Sequence, residues 1–357
     1  MNFTNLLELE ELARQTLDPA VYDYIAGGAD DEVTLGENRA AFGRWRLRPR
    51  YLVDVSRVDL STTVLGQPIS FPVLVAPSAY HKLAHPDGEL GTARACTAAG
   101  TIMICSTAST YPIGEIATQG APVWFQLYTY KERAVTEMLI AKAVAAGVTA
   151  LCLTIDVPHI GNRERDTRNR FTLPNGIVMA NLVDADLAQM PRNPDGSALA
   201  AYSMLWDPAL TWEVISWLRS RCNLPIVVKG IMTVEDAKLA AAYGAAAIVV
   251  SNHGGRQLDS VAGTLDVLPE IVEAVSGSLE VLLDGGVRRG SDVLEALALG
   301  ARAVLLGRPV LWGLAIGGAE GATAVLTTLR NELHTDMMLC GRTRIADVDR
   351  SLVMKAP

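Results

Sequence analysis

Eight short apolar runs, separated by stretches of helical character, constrain this chain more than any other feature. They are FPVLVAP (71–77), TIMICS (101–106), PVWFQLY (122–128), TALCLTID (149–156), PIVVKG (225–230), AAIVVSNHGG (246–255), EVLLDGG (280–286) and RAVLLGR (302–308). Between them lie GELGTARACTAAG, ERAVTEMLIAKAVAAG, TVEDAKLAAAYG, DVLPEIVEAV and SDVLEALALG, several of which close on glycine as helices do. Continuous apolar strands alternating with helices are parallel strands covered on both faces. Eight such units predict an α/β fold, a (β/α)8 TIM barrel. An open doubly wound sheet is the alternative; the count of eight and the length of 357 residues favour the barrel.

We expect one domain over 1–357, with an N-terminal helical extension at 1–70, the barrel at 71–330 and a C-terminal segment at 331–357. LLELEELARQTL has apolar residues spaced by three and four, and VYDYIAGGADDE reaches a helix stop at Gly27-Gly28. RWRLRPRYL carries Arg44, Arg46, Arg48 and Arg50, with Arg57 beyond, on a loop or edge. From Asp156 to Pro225 the interval is too long for one helix. Residues 172–204 are weakly periodic, contain Pro and Gly, and are read as a lid loop over the site after strand 4, with a disordered surface insertion as the alternative.

Charge narrows the partners. Lys and Arg total 31 against 39 Asp and Glu, a net of 31 − 39 = −8. An acidic chain without a basic block predicts no nucleic acid partner and no attraction to anionic membranes. No run approaches ~18 uninterrupted apolar residues, so no membrane span is expected. The start MNFTNLLELEEL lacks the basic and apolar regions of a signal peptide, and we expect a soluble, cytoplasmic protein. The five cysteines, Cys96, Cys105, Cys152, Cys222 and Cys340, form no C-x-x-C, which fits reduced thiols rather than zinc or disulfides. An anionic small molecule remains open, because a few placed arginines outweigh the net charge locally.

In a barrel the chemistry sits where the strands end. The runs deliver Pro77-Ser78-Ala79, Ser106-Thr107, Gln126 with Tyr128, and Thr154 with Asp156, Arg163 following shortly. The later runs deliver Lys229, Ser251-Asn252-His253-Gly254-Gly255-Arg256, Asp284-Gly285-Gly286-Val287-Arg288, and Gly307-Arg308. Eight polar ends in register describe one donor-rich, cationic pocket. The last two look like a phosphate site, with Gly285, Gly286 and Gly307 admitting backbone N–H groups to an anion and Arg288 and Arg308 adding charge; glycines serving only tight turns are the alternative. No two glycines stand two positions apart, so G-x-G-x-x-G is absent, as is G-x-x-x-x-G-K-[ST]. Flavin mononucleotide, pyridoxal phosphate and a sugar phosphate all remain. Lys229 could form a Schiff base or place a cation beside a flavin. His253, next to Arg256, is the candidate proton-transfer group. No histidine pair shows metal spacing with a carboxylate, and no metal is expected.

SNHGGRQLD (251–259), LDGGVRRG (283–290), FQLYTYKER (125–133), LTIDVPHIGNRERDTRNRF (153–171) and VLVAPSAYHKLAHPDGE (73–89) resemble the FMN-dependent α-hydroxy acid oxidases and dehydrogenases, the family of glycolate oxidase, lactate oxidase and mandelate dehydrogenase. The resemblance runs from about Tyr24 to the carboxyl end. It implies FMN as cofactor, a 2-hydroxy acid and O2 as reactants, and often a homotetramer. It implies His253 as the base, supported by Asp156. Arg163 and Arg256 would hold the substrate carboxylate, with Tyr24 and Tyr128 bonding the carboxylate and the hydroxyl or keto oxygen. Around the flavin it implies Pro77, Ser78, Ala79, Ser106, Gln126 and Thr154, with Lys229 at the N1–O2 edge and Ser251 beside it. Asp284, Gly285, Gly286, Arg288, Gly307 and Arg308 would hold the ribityl chain and phosphate.

The residue types suit that chemistry, since arginine matches a carboxylate with paired donors. They fit hydride transfer and α-proton abstraction equally. Ala108 stands where glycolate oxidases of the family have Trp, which opens space for an aryl side chain, although lactate oxidases are also small there and the lid could refill the space. The segment matching the membrane anchor of some mandelate dehydrogenases is broken by Asp184, Asp186, Arg192 and Asp195. The branch resembled most oxidises (S)-4-hydroxymandelate to 4-hydroxyphenylglyoxylate, reducing O2 to H2O2, on the 4-hydroxyphenylglycine route to glycopeptide antibiotics. Lactate or mandelate oxidation on the same scaffold is the rival, and an aldolase using Lys229 is a rival of another class.

Overall fold

The amino-terminal extension is built from capped helices. Asn5 Oδ1 accepts the backbone N–H groups of Leu7 and Glu8 and starts α1 (Leu6–Thr16). Asp18 caps α2 (Pro19–Ala26) in the same way, with Pro19 in the first turn, and the helix stops at Gly27. Helix α3 (Val33–Ala40) follows. The arginine-rich segment forms β1 (Trp45–Leu47), and β2 (Thr62–Val64) and β3 (Gln67–Ile69) make a hairpin. The computed structural model describes residues 3–185, 187 and 205–357, so the predicted lid is described only over 172–185 and at 187, and its remainder lies outside the described residues.

The eight apolar runs become β4 (Val73–Val75), β5 (Met103–Cys105), β6 (Val123–Leu127), β7 (Ala150–Thr154), β8 (Ile226–Ile231), β9 (Ala247–Val250), β10 (Glu280–Asp284) and β11 (Ala303–Leu306). They are parallel and pair in chain order, and β11 returns to β4 to close the barrel. Period-2 alternation divides their side chains between two cores. Leu74, Ile104, Trp124, Cys152, Val249 and Leu305 fill the barrel, whose floor is plugged by Val64 and Ile69 of the hairpin. Val73, Val75, Phe125, Leu151, Val228 and Leu283 face the helical coat.

That coat comprises α4 (Gly88–Ala99), α5 (Ile113–Ala117), α6 (Arg133–Ala145), α7 (Glu164–Arg168), α8 (Glu213–Arg221), α9 (Val234–Ala242), α10 (Thr264–Val275), α11 (Gly290–Ala298) and α12 (Arg308–Leu339). The predicted helical segments all appear. The sequence reading did not single out α5, α7, α8 or α12. The first two are only five residues long, too short to show a period. Helix α12 is interrupted at Gly317 and Gly318, where φ turns positive at Gly318. It is apolar and long enough to cross a membrane, but it packs against α1, α4 and α11 as part of the coat. A final strand β12 (Val353–Lys355) pairs antiparallel with β1. All five cysteines are free, and Cys96, Cys105, Cys152 and Cys340 are buried.

The described part of the predicted lid is anchored. Asn181 bonds Ser109 Oγ and the backbone of Thr107 and Ile113, and Lys142 holds its carbonyl. This segment therefore packs beside the end of β5, the strand that leads to Ala108.

Candidate active site

The carboxyl ends of the strands converge on one cleft of about 1290 Å³, counted with its part open to solvent. Every residue given a substrate, cofactor or catalytic role from the sequence lines it except Asp156 and Ser251. Those two stand directly behind it. Asp156 Oδ1 is 2.9 Å from His253 Nδ1, and Ser251 Oγ accepts from Lys229 Nζ at 2.8 Å and from the His253 N–H at 3.1 Å.

His253 sits in the left-handed region (φ 58), between Asn252 and two glycines that share positive φ. A non-glycine residue there is strained and persists only where its surroundings fix it. Burial holds its pKa below the ordinary 6.5, outweighing the upward pull of Asp156. The imidazole is therefore neutral at pH 7. Because Nδ1 is engaged by Asp156, Nε2 is the nitrogen left to act in the cleft. Burial alone would raise the Asp156 carboxyl, but His253 and Lys229 outweigh it and hold it ionised. Gly230 permits the contact: a Cβ there would meet Asp156 Cβ at 2.7 Å.

The sequence placed Lys229 at the end of its strand. The strand runs on to Ile231, with a register shift between Lys229 and Ile231. The shift falls after Lys229, which follows the barrel-facing Val227 by two positions, so strand alternation points it inward at 4% exposure, with Asp284 at 3.0 Å. Burial would lower its pKa, but Asp284 and Asp156 raise it overall. Lys229 is thus a fixed cation at pH 7. A Schiff-base lysine must be neutral to attack a carbonyl, so this environment argues against the aldolase reading.

Four arginines define the electrostatics. Among the described residues, none of Arg163, Arg256, Arg288 and Arg308 pairs with a carboxylate. Arg256 and Arg308 both donate to the backbone carbonyls of Ile25 and Gly27 in the amino-terminal extension. Arg288 donates to its neighbour's carbonyl and lies over the Trp312 ring. Burial, joined by the neighbouring cations Arg163 for Arg256, Arg39 for Arg288, and Arg256 and Arg288 for Arg308, pushes Arg256 and Arg288 down to about 10 and Arg308 to about 9, which leaves all three charged at neutral pH. Concentrated cations of this kind are costly without an anion. The cleft is accordingly built to receive negative charge.

Orphaned polar atoms sharpen its chemistry. Gln126 Nε2, Asp284 Oδ1 and Arg163 Nε are buried and have no hydrogen-bond partner among the described residues. An amide donor, a carboxylate acceptor and a guanidinium donor thus await partners along one cleft. They suit a flat polar ring edge, a hydroxylated chain and a carboxylate in turn.

Several wall residues escaped the sequence reading. Trp206 stacks on Tyr128 with ring centroids 4.6 Å apart, and Tyr24 stacks on Phe171 at 4.5 Å. Tyr80, Tyr130, Ile160 and Leu311 also line the cleft. Ala108 faces it at 7% exposure. Burial raises the pKa of Tyr24 and Tyr128, so both hydroxyls stay protonated.

Comparison with known proteins agrees with this geometry. A family model described as FMN-dependent dehydrogenase matches residues 13–355. An L-lactate oxidase from Nostoc sp. is 52% identical over 355 residues, covering 98% of this chain and 97% of its own. A glycolate oxidase from Oryza sativa subsp. indica is 50% identical over 350 residues, covering 98% and 95%. A solved mandelate oxidase with (S)-4-hydroxymandelic acid superposes with a TM-score of 0.95 at 42% identity, covering 99% of each chain. The orphaned Gln126 and Asp284 atoms and the paired Arg288 and Arg308 fit a flavin with a ribityl phosphate tail. The chain belongs to the family of FMN-dependent dehydrogenases, and FMN is its cofactor.

Proposed function

We propose that this chain oxidises an aryl 2-hydroxy acid, (S)-4-hydroxymandelate in the first instance, to the 2-oxo acid, with O2 reduced to H2O2. One observation carries the reading: a histidine held at Nδ1 by the Asp156 carboxylate shares a cleft with arginines that lack carboxylate partners among the described residues. Arg163 and Arg256 bind and orient the substrate carboxylate, assisted by Tyr24. Tyr128 bonds the hydroxyl that becomes a keto oxygen. His253 Nε2 takes the proton, and Asp156 holds the ring in the needed tautomer and stabilises the imidazolium that forms.

FMN, when bound, accepts two electrons from the substrate and passes them to oxygen. Pro77, Ser78, Ala79, Ser106, Gln126 and Thr154 would line the ring. Lys229, braced by Ser251 and Asp284, would place a cation where reduction builds negative charge. Asp284, Gly285 and Gly286 would take the ribityl chain, and Arg288, Gly307 and Arg308 the phosphate.

For the aryl group, Ala108 leaves one wall small while Trp206 and Tyr128 make the other aromatic, a surface that favours stacking. A 4-hydroxymandelate-forming organism would use the product toward 4-hydroxyphenylglycine. A second reading, lactate oxidation, is favoured by the 52% identity to a lactate oxidase, against 42% to the mandelate oxidase. Buried free thiols support a reducing compartment such as the cytoplasm. The test mixes holoenzyme anaerobically with 4-hydroxymandelate, mandelate, lactate or glycolate and follows the flavin absorbance. Faster bleaching by the aryl acids, then recolouring and peroxide on admitting air, supports the proposal. Bleaching by lactate alone replaces the substrate, and a yellow protein that none of the acids bleaches overturns the activity.

A further inference from the structure

Helix α3 lies outside the barrel, yet it grips both loops on which the proposed chemistry depends. Its Asn38 faces the loop after β9. Asn38 Nδ2 donates to Asn252 Oδ1 at 2.8 Å, and Asn252 Nδ2 returns a bond to Asn38 Oδ1 at 2.8 Å. Asn252 precedes His253, and its Oδ1 also accepts the Gly255 N–H at 3.1 Å. Both amides are buried, at 2% and 5% exposure. The next residue, Arg39, faces the loop after β10. Its Nη1 donates to the Gly286 carbonyl at 2.6 Å and to Asp292 Oδ2 at 2.6 Å. That same Asp292 oxygen accepts the Arg288 and Arg289 N–H groups at 2.7 and 3.0 Å.

The approach is close enough to demand glycine on both loops. A Cβ on Gly255 would meet the Leu35 backbone nitrogen at 2.6 Å, and one on Gly286 would collide with the Asn38 carbonyl. Both glycines have positive φ, 74° and 81°. The strained His253 backbone and the turn that presents Arg288 are thus pressed against, and hydrogen-bonded to, one two-turn helix.

We infer that α3 is a positioning clamp: Asn38 sets the proton-transfer histidine through Asn252, and Arg39 sets the cofactor's phosphate loop through Gly286 and Asp292. Neither residue lines the cleft, so each acts through another. The inference rests on the roles proposed above for His253 and Arg288. It deepens that reading by making adjacent residues of the amino-terminal extension control two different properties: cofactor retention through Arg39, turnover through Asn38.

The test uses full-length holoenzyme. Arg39→Met keeps an unbranched apolar side chain and removes the donors together with the guanidinium over Phe42, and Arg39→Lys restores one cation. FMN release on dilution, read as recovery of free-flavin fluorescence, should be faster in Arg39→Met by about tenfold or more, the size of losing a charged hydrogen bond. Arg39→Lys should recover part of it. Asn38→Ala should lower the limiting rate of anaerobic flavin bleaching by about tenfold while changing the substrate KM far less. Asn38→Asp, which keeps the size and one acceptor, is the companion variant if Asn38→Ala folds poorly.

Arg288→Met and His253→Ala run alongside. Release accelerated by Arg288→Met but not by Arg39→Met overturns the clamp and leaves the phosphate site intact. Release unchanged in both overturns the phosphate site and the inference with it. A bleaching rate suppressed in His253→Ala but equal to wild type in both Asn38 variants likewise refutes the Asn38 arm. Loss of rate in an Asn38 variant matched by an equal loss of FMN retention would show general loosening, which also contradicts the inference.

Discussion

Replacing Asp156 by Asn tests the base assignment through both rate and pH. The Asp156–His253 contact is 2.9 Å, with side-chain exposures of 13% and 21%, so solvent screens it only partly. A hydrogen bond to a charged group contributes about 1.5–3 kcal/mol. Full charges 4 Å apart at a near-surface dielectric interact by about 4 kcal/mol. The two figures bracket the effect, so the imidazolium should lose about 2–4 kcal/mol of support, a rate loss of roughly 30- to 900-fold. The sign of the pH effect is separate. With His253 as the proposed base, activity requires its neutral form, so the rate should rise with pH through an acid limb lying below 6.5, because burial lowers this histidine. Asp156 opposes burial by raising that pKa, and removing it lowers the pKa further. Asp156→Asn should therefore be slower on the plateau, with its acid limb moved to lower pH. Anaerobic stopped-flow bleaching from pH 5 to 9 reads both quantities. A loss under about threefold, or a limb moved to higher pH, would refute the reasoning.

Other perturbations separate substrate, cofactor and stability. Arg163→Met should raise KM through loss of about 2–5 kcal/mol of carboxylate binding; steady-state kinetics with an unchanged KM would remove it from the site. Lys229→Met leaves Asp284 buried without its cation, and thermal unfolding should report a loss of about 3–5 kcal/mol. Adding Asp284→Asn should restore part of that loss. Ala108→Trp should slow aryl acids by at least about tenfold relative to glycolate, since pocket volume discriminates on that scale. An unchanged ratio would mean that the aryl group lies elsewhere.

The barrel was legible because each strand is apolar throughout and each break is polar, a pattern that burial on both faces enforces. The site was legible for a related reason: barrel strands all deliver their ends to one side, so order along the chain becomes adjacency in space. His253, Lys229 and the four arginines could therefore be gathered into one cleft from their place after a run. What could not be read depends on contacts distant in sequence. Trp206 lines the cleft stacked on Tyr128, far from it along the chain. Asn38 bonds Asn252 across 214 positions, and Arg39 bonds Gly286 across 247, with no local pattern to mark either residue. The register shift just after Lys229 left only Gly230 as a trace in the sequence, and the missing Cβ there makes room for Asp156.

The central claim is that His253 moves the proton in a cleft that binds FMN and a 2-hydroxy acid together. The most direct measurement mixes His253→Ala holoenzyme with saturating 4-hydroxymandelate, and separately with lactate, without oxygen. The account predicts a yellow protein with a wild-type flavin content whose colour persists while the native enzyme bleaches. Bleaching of the variant at the native rate would contradict it.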